Sequence, residues 1–174
     1  MSTSVRNIPD LIAQAVQVEL AKARLDMLKT KVGTIFHADA STAIATLPVA
    51  SDLPSVIARA NAIKATYNAH IASACNATTG VGAHIAADAT NVVSSANASD
   101  QATANTLLNE IKADYNTHIA STSFHPTADA TNAIAAANAS DLATSITLVN
   151  ELYTDINAHM AAAMNHQAIV LVAP

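Results

Sequence analysis

The chain has 174 residues, half of them apolar, yet it contains no Trp, two Phe and three Tyr, and only 12% of its residues are charged. Its formal charge of −5 is uneven: residues 1–64 carry seven Lys/Arg against five Asp/Glu, and residues 65–174 carry Lys112 against eight acids. A nearly lysine-free acidic stretch argues against a nucleic-acid partner, which needs cations to displace phosphate counterions, and so small a set of large side chains implies a thin core that assembly with other subunits would help to stabilise.

The first element runs from Asn7 and Pro9, which open a helix, to Phe36. Leu11, Val18, Leu25 and Val32 alternate with Gln14, Ala21, Leu28 and Ile35 in a 3.5-residue rhythm, the seam of a helix that pairs with another helix. Residues 1–36 therefore read as a pairing helix, with Leu11, Val18, Leu25, Leu28, Val32 and Ile35 as its interface, either with another subunit or with the chain's own repeats.

From His37 onward the sequence repeats itself. Residues 84–122 match residues 125–163 at 21 of 39 positions without a gap, an offset of 41, and a looser copy spans His37 to Ser73. Residues 37–166 read as a three-repeat array whose units bury apolar faces against one another. Within each repeat, Ser-Asp at 51–52, 99–100 and 140–141 supplies an N-cap and an acidic first turn for a helix of about twenty residues. Ala60, Ile63, Tyr67 and Ile71 draw one apolar stripe, Leu108, Ile111, Tyr115 and Ile119 a second, and Leu142, Ile146, Val149, Leu152, Ile156, Met160 and Met164 a third.

The segments before the last two helices, ADATNVVSSANA and ADATNAIAAANA, fit either an extended run or a short helix. An extended run would return along the preceding helix and leave successive helices parallel; a short helix would make antiparallel hairpins. The expected fold is mainly α, an N-terminal heptad helix followed by three repeats of 41–48 residues, each a short extended or irregular segment plus a long helix. Ala74 to Gly82 reads as an inserted loop, and residues 167–174 as an apolar tail.

Histidines carry the chemical question. His70, His118 and His159 end their helices, and His84, His125 and His166 open the segments that follow, with Asp88 and Asp129 four residues beyond the second histidine in two copies. Such a set could ligate Zn²⁺ or a similar ion once per turn of the array. The alternative is structural: helix-end histidines bonding orphan carbonyls, with the loop histidine and aspartate anchoring the turn. The amide pairs Asn61/Asn68, Asn109/Asn116 and Asn150/Asn157 suggest bonding between helices or subunits, and Glu110/Asp114 and Glu151/Asp155 read as solvated pairs. No glycine-rich phosphate loop, GxSxG or HExxH motif is present, so no catalytic residue and no cofactor is expected. Cys75 is the only cysteine, which rules out an intrachain disulfide.

The phrases YNAHIAS and YNTHIAS, followed by HxxADATN and NASDLAT, resemble Ala/Asn/Thr-rich repeat proteins of tailed bacteriophage virions. The resemblance covers about residues 37–166. It implies a non-enzymatic virion component, such as a capsid decoration, neck, collar or tail accessory protein, whose partners are its own copies and other virion proteins. The absence of an apolar signal core or a span of ~18 apolar residues fits synthesis in a host cytoplasm with no membrane partner.

Overall fold

The computed structural model of the protein describes residues 14–24, 43–74, 84 and 86–162. Among these the chain is mainly helical. α1 covers residues 14–24 and is exposed along its whole length. The other helices are α2 (Leu53–Ile71), α3 (Gln101–Ala120) and α4 (Leu142–Ala161). An isolated parallel bridge joins Ala74 and His84.

All three long helices start in the same way. Asp52, Asp100 and Asp141 sit in extended backbone as N-caps, each accepting from the backbone N–H three residues on, while the hydroxyl of Ser55, Thr103 or Thr144 accepts the N-cap N–H in return. Two of the helix's orphan donors are thereby satisfied reciprocally. The aspartate is itself the cap, so none of the three first turns contains an acid, contrary to the expected acidic first turn.

Buried positions step through each helix by four and three: Val56, Ala60, Ile63, Tyr67 and His70 in α2, with Ala104, Leu108, Ile111, Tyr115 and His118 in α3 and Ser145, Val149, Leu152, Ile156 and His159 in α4. Alternating steps of three and four average 3.5, which keeps one stripe facing the bundle axis. Equivalent positions meet across that axis. Tyr67 and Tyr115 have ring centroids 6.1 Å apart, and the His70, His118 and His159 rings lie 5.4–5.9 Å from one another. The three helices are therefore parallel.

Parallel neighbours require the chain to return between helices, and asparagine makes the return possible. Asn61 and Asn68 of α2 each clamp one residue of the following segment, accepting its N–H and donating to its carbonyl, at Ala98 and Val93 respectively. Because the residue further along the helix holds the residue earlier in the segment, the segment runs antiparallel to α2. Asn109 and Asn116 of α3 clamp Ala139 and Ile134 in the same sense. Asn150 of α4 clamps Ala50, and Asn157 accepts from the Ile44 N–H, across 100 and 113 residues of sequence. The last helix thus holds the first segment, and the set closes on itself. Each clamp gives a segment N–H and carbonyl the partners that a neighbouring strand would have supplied, so the segments are held along the helices without forming a sheet. Most of these amide bonds go to segment backbone, where the sequence suggested bonding between helices or subunits, while Asn150 also accepts from Arg59 of α2, a bond between helices.

Ile44, Ala50, Val93, Ala98, Ile134 and Ala139 project from these segments into the core that the helices build. Glu110 and Glu151, expected to be solvated, also face the segments. Glu110 accepts the N–H groups of Ser94 and Ser95 at 2.7 and 2.9 Å, and Glu151 those of Ala135 and Ala136 at the same distances.

A buried histidine cluster as the candidate functional site

Parallel packing has a chemical consequence at the C-terminal ends of the helices. Each helix places a histidine in its last turn, so all three rings reach one layer. The connections following α2 and α3 add His84 and His125, whose rings lie 4.8 Å apart and 4.8 and 4.6 Å from that of His118. All five side chains are completely buried. One nitrogen from each can be chosen so that the five atoms lie within 4.8 Å of one another.

The layer is oriented from outside by oxygen. His118 Nδ1 is 2.9 Å from Asp88 Oδ2, and His159 Nδ1 is 2.8 Å from Asp129 Oδ2. His84 Nδ1 faces the Ser73 carbonyl at 3.2 Å, and His125 Nδ1 the Ser121 carbonyl at 3.3 Å. Since carbonyls and ionised carboxylates only accept, these four contacts assign the proton to Nδ1 in the neutral rings and leave the lone pair on Nε2. His84 Nε2 lies 3.1 Å from His70 Nε2.

The two aspartates are fixed in turn. Asp88 Oδ1 accepts the N–H groups of Thr90 and Asn91, and Oδ2 accepts from the Asn91 side chain at 2.6 Å. Asp129 repeats the arrangement with Thr131 and Asn132. Their own N–H groups donate to the carbonyls of Ile71 and Ile119 at 2.8 Å, which docks each turn on the end of the preceding helix. Burial alone would raise both carboxyls, but hydrogen bonds outweigh it and hold them below the ordinary aspartate range: from Asn91, His118 and the Thr90 and Asn91 backbone at Asp88, and from His159 and Asn132 at Asp129, where attraction to His159 adds to the effect. Beneath the layer lie Tyr67, Tyr115 and Ile156. The two tyrosine rings meet His118 and His159 edge-on at 5.9 and 5.8 Å, and Phe124 stacks on His118 at 5.8 Å.

The structure therefore brings His70, His84, His118, His125 and His159 into one place, with Asp88 and Asp129 behind two of them. Two details differ from the sequence reading. The histidines do not form one set per repeat; they merge into a single centre. Each aspartate pairs with the histidine thirty residues later, at the end of the next helix, and not with the one four residues before it. His166 lies outside the described residues, as do Leu11, Leu25, Leu28, Val32 and Ile35 of the proposed interface. Val18 is on α1, 63% exposed, beside Val16 and Leu20.

A second buried polar group was invisible in the sequence. Arg59, 4% exposed, donates to the carbonyls of Pro48 and Leu47 at 2.5 and 2.7 Å and to Asn150 Oδ1 at 3.0 Å, and lies 4.0 Å above the Tyr153 ring. Leucines occupy its place in the other helices, Leu107 and Leu148.

No protein family, no curated protein and no solved structure matches this chain. None of the helices among the described residues is long and apolar enough to cross a membrane.

Proposed function

We propose that the chain is a non-enzymatic structural module of a bacteriophage particle, in which each repeat, one extended segment and one helix, forms a sector of a closed three-sector unit. The observation that carries this reading is the ring of asparagine clamps. Each helix directs its polar side chains at the backbone of the segment beside it, an arrangement that makes a stiff building block. The described surface offers a shallow dent lined by Ala137, Ala143, Thr144 and Thr147, far from the histidines and without a titratable group. The likeness of the repeats to those of phage virion proteins supports the same reading and suggests a capsid decoration, neck, collar or tail accessory role, reached after synthesis in the host cytoplasm.

In this role the module works by packing against its own copies and other virion proteins, with no nucleic acid or membrane as partner, and residues 1–36 supply the pairing helix. Mass measurement in solution tests it. The full chain is expected to form an oligomer of defined size at micromolar concentration, and a chain lacking residues 1–36 to fall apart into folded monomers. A full chain that stays monomeric up to hundreds of micromolar, and fails to decorate particles reconstituted from other virion proteins, would overturn it.

A further inference from the structure

We propose that His70, His84, His118, His125 and His159 together bind one divalent first-row transition-metal ion per chain, in a five- or six-coordinate site at the C-terminal end of the helix bundle. The proposal is independent of where the protein works, since it rests on the histidine rings and the groups that orient them.

The first argument is convergence. Five imidazoles, all buried, place a ligand-capable nitrogen within 4.8 Å of one another. With metal–nitrogen bonds of about 2.1 Å, neighbouring ligands of an octahedral ion stand about 3.0 Å apart and opposite ones about 4.2 Å. The 3.1 Å separation of His84 Nε2 from His70 Nε2 fits a neighbouring pair, and contraction of the widest separation by about half an ångström, well within side-chain adjustment, completes the shell.

The second argument is orientation. Metal-bound histidines nearly always donate their other N–H to a carboxylate or carbonyl, which fixes the tautomer and raises the basicity of the ligating nitrogen. Four of the five rings have that arrangement: His118 and His159 against Asp88 and Asp129, His84 and His125 against the carbonyls of Ser73 and Ser121. The aspartates are themselves held by three hydrogen bonds each. A layer that only capped helix ends would have no need to bring one nitrogen from each of five rings within 4.8 Å of the others.

The donor set selects the ion. Imidazole suits Fe²⁺, Co²⁺, Ni²⁺, Cu²⁺ and Zn²⁺, while Ca²⁺ and Mg²⁺ require oxygen. Five nitrogens exceed the four of a closed tetrahedral zinc site, which favours ions content with five or six ligands. The two carboxylates balance the two positive charges of the ion, so the loaded centre is near neutral in a buried place.

Untagged full-length protein, stripped with chelator and dialysed, is titrated with CoCl₂ and, separately, ZnCl₂ by calorimetry. One ion per chain is expected, with the weak pink spectrum of five- or six-coordinate Co²⁺ in place of the intense blue of a tetrahedral site. The melting temperature should rise by roughly 5–10 °C at a hundredfold excess over Kd. His118→Ala and His125→Ala should each abolish stoichiometric binding, and Asp129→Asn should weaken it about 10–100-fold. Folded, stripped protein that takes up neither ion saturably would overturn the proposal, as would binding that is undiminished in both histidine variants. If those variants do not fold, proton spectra of the Co²⁺-loaded wild type decide: five or more hyperfine-shifted imidazole N–H or C–H sets support the site, and three or fewer overturn it.

Discussion

The seam between α2 and α3 and the seam between α3 and α4 are fastened alike, and the seam between α4 and residues 43–50 is fastened differently. At the first two, a lysine of the earlier helix donates to a segment carbonyl, Lys64 to Ser95 and Lys112 to Ala136, while a glutamate of the later helix accepts two segment N–H groups. At the third, Tyr153 and Ala62 stand where the lysine and glutamate would be. Arg59 of α2 reaches in their place to the Leu47 and Pro48 carbonyls and to Asn150, over the Tyr153 ring, and the Tyr153 hydroxyl donates to the Ala45 carbonyl at 3.3 Å. The two internal seams have the same chemistry and could exchange segments at little cost. The closing seam is fastened by Arg59 and Tyr153, which have no counterpart at the internal seams, so the two ends of a near-repetitive chain are joined by contacts of their own that segments docked out of order or into a second copy would forgo.

The comparison can be broken most strongly at Arg59. Arg59→Ala removes three hydrogen bonds from a buried cation and leaves two carbonyls to find other donors, so urea unfolding should report a loss of about 3–5 kcal/mol, whereas Lys112→Ala at an internal seam should cost no more than about 1 kcal/mol. Equal losses would show that the closing seam is not special. Next, Asn150→Ala and Asn109→Ala each free one backbone N–H and one carbonyl, a loss of about 1–3 kcal/mol; the closing-seam variant should also populate dimers by segment exchange, visible in size-exclusion profiles, and the internal one should not. Tyr153→Phe keeps the ring under Arg59 and deletes only the hydroxyl contact, for about 0.5–1 kcal/mol.

The smallest effect is one of acidity. Burial would raise the Glu110 carboxyl, but hydrogen bonds from Ser95 and Ser94 prevail and bring it to about 2 from its ordinary 4.5. A depressed acid stabilises the fold above its unfolded value and loses that contribution as pH falls, here between about pH 4.5 and 2. Glu110→Gln should flatten the fall in melting temperature across that window, by no more than a few degrees because the group is only half-buried and solvent screens it. An unchanged slope would remove Glu110 from the account of the internal seam.

Some of this was legible in the residues and some was not. Ser-Asp before an apolar stripe stepping by three and four marked α2, α3 and α4, because capping and amphipathic periodicity are local signals. Helix direction was not legible: it depends on whether the intervening segments run back along the helices, and these are held there by asparagines 18–37 residues away at the internal seams and 100 or more at the closing one. For the same reason Asn61 read as bonding between helices or subunits and Glu110 as solvated, since their partners are backbone groups that no side-chain pattern reveals. Individual histidines were visible as candidates, but their union needed the ring to close, which brings His70 and His159 to 5.4 Å from opposite ends of the repeat region. Arg59 carried no signal beyond its departure from the leucines at equivalent positions in the other helices.

Ring closure also decides how the unit would respond to a pull. Ile44 lies beside Asn157, near the end of α4, and α4 stops at Ala161, so the chain enters the first segment and leaves the last helix at the same end of the three-helix bundle, the one that holds the histidines. Tension between those two points acts across the closing seam as a zipper, opening the Ile44 contact first and the Ala50 contact second, one fastening at a time, where the same contacts loaded along their length would have to fail together. Pulled from those two points, an otherwise stiff unit would yield at this one seam unless something braced that end. An ion held by His159 and by histidines of the other two helices would sit at that end and join the last helix to its neighbours before the zipper could run.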